Sequence, residues 1–199
     1  MILNKKFYRH KTLRVAKNLI GKYLVREIDG KKLRVKIVET EAYLGKSDKA
    51  SHAFKNKRTD RTKYLYRCGG TVYIYLIYGI YYCLNIVTSS VYKPHSVFIR
   101  AAEPIEGIKE MKQFRKKNIN DLKELTNGPS KLCQSLKLDK TFNGKKVYNP
   151  DSELVIMSSE NVEKNYKINK SPRINIDYAR EDKDKKWRFY LSNSEFCSN

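Results

Sequence analysis

No two of the four cysteines, Cys68, Cys83, Cys133 and Cys197, stand in C-x-x-C spacing. That spacing argues against a zinc site, and no disulfide framework is suggested. The three histidines, His10, His52 and His95, are far apart and form no H-x-x-x-H pattern. No internal repeat or low-complexity linker interrupts the chain. The opening MILNKKFYRHKTL lacks the apolar stretch of a signal peptide. The apolar run after Thr71 is too short to cross a bilayer, and Gly79 and Asn85 interrupt it. These absences predict a reduced, soluble, intracellular protein with no membrane association.

Acidic residues are scarce too. Asp and Glu total 21 against 42 Lys and Arg, a formal charge of +21 on 199 residues. Such an excess is more than solubility needs and works against compaction. It suggests a polyanionic partner, because neutralising phosphates releases condensed counterions. A lysine-rich proteome that raises the charge of every surface is the other reading. The length suits a single domain spanning residues 1–199, and 40% hydrophobic residues are enough for a core.

Helix and strand signals are intermixed without a regular βαβ rhythm, which points to an α+β fold. In TLRVAKNLIG, Thr12 caps a short helix that Gly21 stops. YLVRE and KLRVKIVETEAYL flank Asp29-Gly30, a hairpin signal. Residues 45–70 read as a long basic loop, a length that is often functional. SVFIRAA is a strand, and Pro104 is expected to open a helix through IEGIKEMKQFRKK. DLKELT and SKLCQSL suggest two more short helices, and ELVIM, RINI and WRFYL three short strands.

Residues two apart on a strand share a face, so Val35, Ile37, Glu39, Glu41 and Tyr43 are expected on one side. An apolar row then turns into two carboxylates and a ring. At the mouth of a cleft, desolvation suits such a carboxylate to general-base work. A salt-bridged strand end fits the same pattern. TVYIYLIYGIYYCLN carries five tyrosines between Thr71 and Asn85. It reads as a hairpin of residues 72–77 and 80–87, with Tyr73, Tyr75 and Ile77 on one face and Tyr78-Gly79 near the turn. A ring at the tip of a basic protein can wedge between base pairs; taken by itself, the run is better explained by core tyrosines whose hydroxyls reach water or a partner.

Weaker signals are His52 amid dense positive charge, with Arg61 among the bases that suit phosphates, and Ser130-Lys131 at a helix start. Arg100 is a charge on an apolar strand and needs a partner, which Glu41 or a phosphate would supply. Two other functions fit these residues: a non-catalytic nucleic-acid-binding protein, and a metal-dependent nuclease using Glu39, Glu41 and Asp48.

Taken together, LIGKYLVRE, VETEAYLG, ASHAF, VYIYLIYGIYYCLN, IRAAEPIEG, NGPSKLCQSL and WRFYL occur in order along nearly the whole chain. In this the sequence closely resembles the alkylpurine (3-methyladenine) DNA glycosylases of the mammalian alkyladenine-glycosylase type. The resemblance implies a single α+β domain: a curved, mostly antiparallel sheet with peripheral helices and a protruding β-hairpin. It implies a monomer acting on double-stranded DNA in the cytoplasm or nucleoid of a prokaryote-like cell, without metal or cofactor. Damaged purines such as 3-methyladenine and 7-methylguanine would be flipped from the duplex and their N-glycosidic bond hydrolysed. Neutral lesions such as hypoxanthine or ethenoadenine would also need a general acid, which the sequence does not identify.

By position, the resemblance assigns Glu41 as the base that activates water and Arg100 as an arginine near that water and the nucleotide's phosphate. Tyr43 matches the ring on one face of the flipped base, His52 and Tyr75 the other face, and Asn85 a pocket-floor residue that screens purines. Tyr78 matches the residue that fills the gap in the duplex. Ile174 falls in a segment whose backbone carbonyl helps hold the water. Arg61, Ser130 and Lys131 are expected to grip DNA phosphates from their charge and position alone, not from the resemblance. The chain departs from the family pattern at Asp60, at Cys68 and at Asn175, where the family usually has glycine; asparagine tolerates a left-handed backbone better than most residues.

Overall fold

The computed structural model describes residues 1–158 and 167–198. Among these described residues, eight strands make one antiparallel sheet: β1 (Tyr23–Ile28), β2 (Lys31–Tyr43), β3 (Val72–Ile77), β4 (Tyr81–Thr88), β5 (His95–Glu106), β6 (Leu154–Met157), β7 (Ile168–Ser171) and β8 (Arg188–Leu191). Neighbours run β3-β4-β5-β2-β1-β6, and β8 pairs with both β2 and β7. The described residues also form α1 (Thr12–Leu19), α2 (Ile108–Arg115), α3 (Pro129–Ser135) and several 3-10 turns, giving an α+β fold. Among the described residues, no helix is long and apolar enough to cross a membrane.

Strand β2 organises the sheet. One of its edges pairs with β5 from Arg34 to Tyr43. The other is divided, with β1 along Lys31 to Lys36 and β8 along Glu39 to Glu41. The turn into β2 is the hairpin expected from Asp29 and Gly30, which sit at φ 51° and 71°, the left-handed pair that a two-residue turn requires.

The expected single face of β2 is broken where the sheet divides. Ile37 pairs with Ala102 and Glu39 with Ala101, so Val38 is an extra residue; Thr40 then pairs with Ile99, so Arg100 is extra on β5. Ile37 and Val38 both enter the main core, where they meet Leu33, Val35 and Ala42. Side-chain parity therefore reverses at Val38, as β-bulges permit. Glu39, Glu41 and Tyr43 face away from Val35 and Ile37, not with them. The following Thr40 turns inward instead, its hydroxyl donating to the Ala16 carbonyl at 2.9 Å.

Three other boundaries differ from expectation. Thr12 is the first residue of α1, not its cap, and its hydroxyl hydrogen-bonds Thr88 at 2.9 Å. Pro104 stays within β5 beside a register shift, where its missing N–H is tolerated. The helix waits for Gly107 at φ 80°, where a Cβ would meet the Lys32 carbonyl oxygen at 2.9 Å. RINI forms no strand: residues 173–176 bend at Ile174 and Asn175 between β7 and a 3-10 turn, Asp177–Asp182.

The tyrosine run is the expected hairpin, with β3 joined to β4 through Tyr78, Gly79 and Ile80. Val72 and Ile74 join the main core, while Tyr73 packs with Ala53, Leu65 and Val87 on the other face, next to Tyr75. β3 is an edge strand, and Asn143 covers part of it. Its side chain accepts from the Ile74 N–H at 2.7 Å and donates to the Ile74 carbonyl at 2.9 Å. Beyond that point the hairpin tip projects, with Tyr78 80% exposed.

Candidate active site

The face of β2 that the bulge turns outward carries Glu41, which is 0% exposed. Three donors converge on its carboxylate. The Ile174 backbone N–H donates to Oε1 at 2.8 Å, the Tyr43 hydroxyl donates to Oε2 at 2.8 Å, and Arg100 Nη1 lies 3.4 Å from Oε1. A side chain surrounded only by donors is suited to the ionised, acceptor-only form.

Arg100 joins this carboxylate to a second one, its Nε lying 3.4 Å from Glu39 Oε1. Burial works against the Arg100 charge, but Glu41 and Glu39 outweigh it and hold its pKa above the ordinary value. Glu39 is buried with further donors of its own: Arg188 Nε at 2.5 Å, and the Ser198 N–H at 2.6 Å and hydroxyl at 2.7 Å. A buried charge persists only when paired and hydrogen-bonded in this way.

Residue Ile174 is held by its neighbour. Arg173 donates to both oxygens of Asp48, at 2.7 and 2.9 Å, and to the Ala42 carbonyl at 3.0 Å. Its guanidinium carbon also sits 4.6 Å from the centre of the Tyr43 ring. Asn175, the departure from the family pattern, takes φ 57° and lets the chain turn there.

Beside Glu41 lies a slot walled by rings. It is lined by Tyr43, Ala50, Ser51, His52, Leu65, Tyr73, Tyr75, Asn85, Ser96 and Tyr178. Phe98 stands between two of the walls, 6.3 Å from Tyr43 and 6.5 Å from Tyr75 between ring centres. The His52 ring meets Tyr75 edge-on at 4.5 Å. Burial, with Glu41 adding to it, pushes the Tyr43 phenol well above the ordinary tyrosine value, so it remains a donor. Burial, reinforced by Arg61 and Lys57, lowers His52 to about 4 and keeps it neutral near pH 7. Its Nδ1 shares a 2.9 Å hydrogen bond with the Tyr73 hydroxyl.

The structure thus gathers Glu41, Arg100, Tyr43, His52, Tyr75, Asn85 and Ile174 in one place. Asn85 is buried in the slot wall with its Nδ2 unpaired. Arg61 lies at the edge of the slot, its guanidinium carbon 5.0 Å from the Tyr75 ring centre. Tyr78 is away from the slot, at the hairpin tip. Ser130 and Lys131 line a separate cleft with Tyr81, Phe114 and Arg115, and Lys131 bonds Glu124 at 2.6 Å and Asn127 at 2.8 Å.

Two findings depart from the expected picture. The slot holds about 40 Å³, room for water but not for a purine. Ile174 meets Glu41 through its N–H, a contact the sequence did not suggest. Sequence reasoning also missed Phe98 and Tyr178. Phe98 was within reach, because it is two residues from Arg100 on the same strand. The nuclease reading loses its ligands: Glu39 and Asp48 are each bound by arginine, and no group of three among the described residues could hold a metal ion.

Comparison with known proteins gives a consistent result. The methylpurine-DNA glycosylase family model matches residues 6–195. A protein of Natranaerobius thermophilus is 46% identical over 198 residues, covering 100% of this chain and 99% of its own. One from Clostridium perfringens is 47% identical over 204 residues, with the same coverage. One from Desulfitobacterium hafniense is 44% identical over 202 residues, covering 98% of each chain. Each of the three is described as a "putative 3-methyladenine DNA glycosylase".

Proposed function

The chain belongs to the methylpurine-DNA glycosylase family, and from that premise we propose how its residues cut the N-glycosyl bond of a damaged purine. The activity is that of a DNA-3-methyladenine glycosylase, a hydrolase working in the cell on damaged double-stranded DNA.

Water cannot reach the bond inside a duplex, so the nucleotide must be everted, at a cost of a few kcal/mol. Tyr78, exposed at the hairpin tip, offsets part of that by stacking in the vacated space. The everted base enters between Tyr43 and the His52–Tyr75 pair. A purine methylated at N3 or N7 is cationic, and the faces of electron-rich rings attract cations. Neutral His52 adds no opposing charge.

Glu41 then takes a proton from a water as the water oxygen bonds to C1′. The C1′–N bond breaks with its electron pair moving to the purine. A cationic purine leaves as the neutral base, and an abasic site remains. Arg100 balances the Glu41 charge until the proton arrives. The reading covers 3-methyladenine and 7-methylguanine; neutral lesions need a proton donor as well.

One observation carries this reading most: the Tyr43 hydroxyl bonds Glu41, so the wall of the slot and the buried carboxylate form one unit. Chromatography of bases released from methylated DNA tests it. Free 3-methyladenine is expected with a chelator present; its absence would overturn the reading.

A further inference from the structure

One residue lining the slot has no part in these roles. Every other side chain lining it is buried or half-buried, but Tyr178 is 66% exposed. Its ring has the slot on one side and solvent on the other. Among the described residues, its hydroxyl donates one hydrogen bond, to the Ala50 carbonyl at 3.2 Å.

The backbone beneath Tyr178 is fastened. On one side Arg173 is bound to Asp48. On the other, buried Asp182 accepts from the Lys49 N–H at 2.7 Å, and its carbonyl accepts from Arg173 at 3.3 Å. Flanking Tyr178, Ile176 and Ala179 are buried together with Ala50, against Tyr43. The segment is therefore held on both sides, whereas the Tyr178 side chain is held at its tip by that one hydrogen bond.

A slot of about 40 Å³ must enlarge before a purine enters. Moving Tyr73 or Leu65 would disturb a packed cluster. Moving Tyr178, itself exposed, breaks one part-buried hydrogen bond. We propose that Tyr178 is the movable wall of the slot: it swings off Ala50 to admit the everted purine, then closes against it and contributes to which bases are held. This rests on the glycosylase reading above. It makes Tyr178 a base-contacting residue with no part in proton transfer.

The test uses the full chain with Tyr178→Ala and Tyr178→Phe. Excision of 3-methyladenine from duplex DNA is followed together with calorimetric binding of the free base. Tyr178→Ala should raise KM and weaken free-base binding roughly tenfold, the scale of one lost stacking partner. Its kcat should change by less than about twofold, since uniform binding is what is removed. Tyr178→Phe keeps the ring and should bind within about twofold of wild type. Wild-type excision with unchanged KM and base affinity in Tyr178→Ala overturns the inference and leaves the glycosylase reading standing. A wild type that neither excises nor binds the base overturns both. Because Tyr178 is exposed, both variants should melt with the wild type.

Discussion

The Tyr43 hydroxyl donates to Glu41 Oε2 at 2.8 Å from two residues further along the same face of β2. The ring that would stack on a base and the carboxylate that would activate water are thus positioned by each other. Alternation alone puts them on one side; the bulge at Val38 decides that this side is the slot and not the core.

Replacing Tyr43 by Phe keeps the ring and removes the donor. The Glu41 carboxylate loses one of its three partners while buried, an expected loss of about 1–3 kcal/mol in folding stability. Excision should fall while binding of methylated DNA changes little. Urea unfolding and single-turnover kinetics check both, and unchanged stability would show that the hydroxyl does not support Glu41.

The His52 environment sets a pH dependence of stability. Its pKa falls from 6.5 to about 4 on folding. The unfolded chain takes up a proton as pH drops through 6.5, while the folded chain resists until about 4. The contribution is full above that window and shrinks on acidification across it, by up to about 3 kcal/mol. Wild type should therefore lose more stability than His52→Gln between neutral pH and about pH 4.5; equal losses would contradict the buried neutral imidazole.

The Arg173–Asp48 pair fixes the segment that donates to Glu41. Arg173→Met leaves Asp48 buried without its guanidinium, and such a broken pair costs about 3–5 kcal/mol. A large fall in Tm is expected, with weaker excision even where the variant is folded. A variant as stable as wild type would mean that Asp48 finds other donors.

Tyr78 is 80% exposed at the hairpin tip, so Tyr78→Ser should leave stability within about 0.5 kcal/mol. Duplex excision should slow and single-strand excision should not, because only the duplex leaves a gap to fill. Equal slowing on both would place Tyr78 in some other role.

Much of this arrangement was legible in the sequence, and for local reasons. Asp29-Gly30 and Tyr78-Gly79 mark hairpins because the chain needs left-handed residues there, and alternation sorts Tyr73 and Tyr75 from Val72 and Ile74. What the sequence hid depends on contacts between distant residues. The bulge at Val38 exists only in the pairing with β5, so alternation extended through it gave the wrong face for Glu41 relative to Val35. Pro104 looked like a helix start because its strand partner is 69 residues away, at Val35. Tyr178 shows no local signal: it reaches the slot because Arg173 and Asp182 fasten a charged loop across β2. The narrow slot is likewise a matter of packing, which spacing does not report.

The most direct measurement compares wild type with Glu41→Gln on duplex DNA holding one 3-methyladenine, as single-turnover release of the base with binding measured in parallel. Glutamine keeps the shape and cannot take the proton from water. Release should fall at least about a thousandfold, within the range for a lost general base, with DNA affinity within a few fold of wild type. A Glu41→Gln variant that releases the base at the wild-type rate would contradict the account.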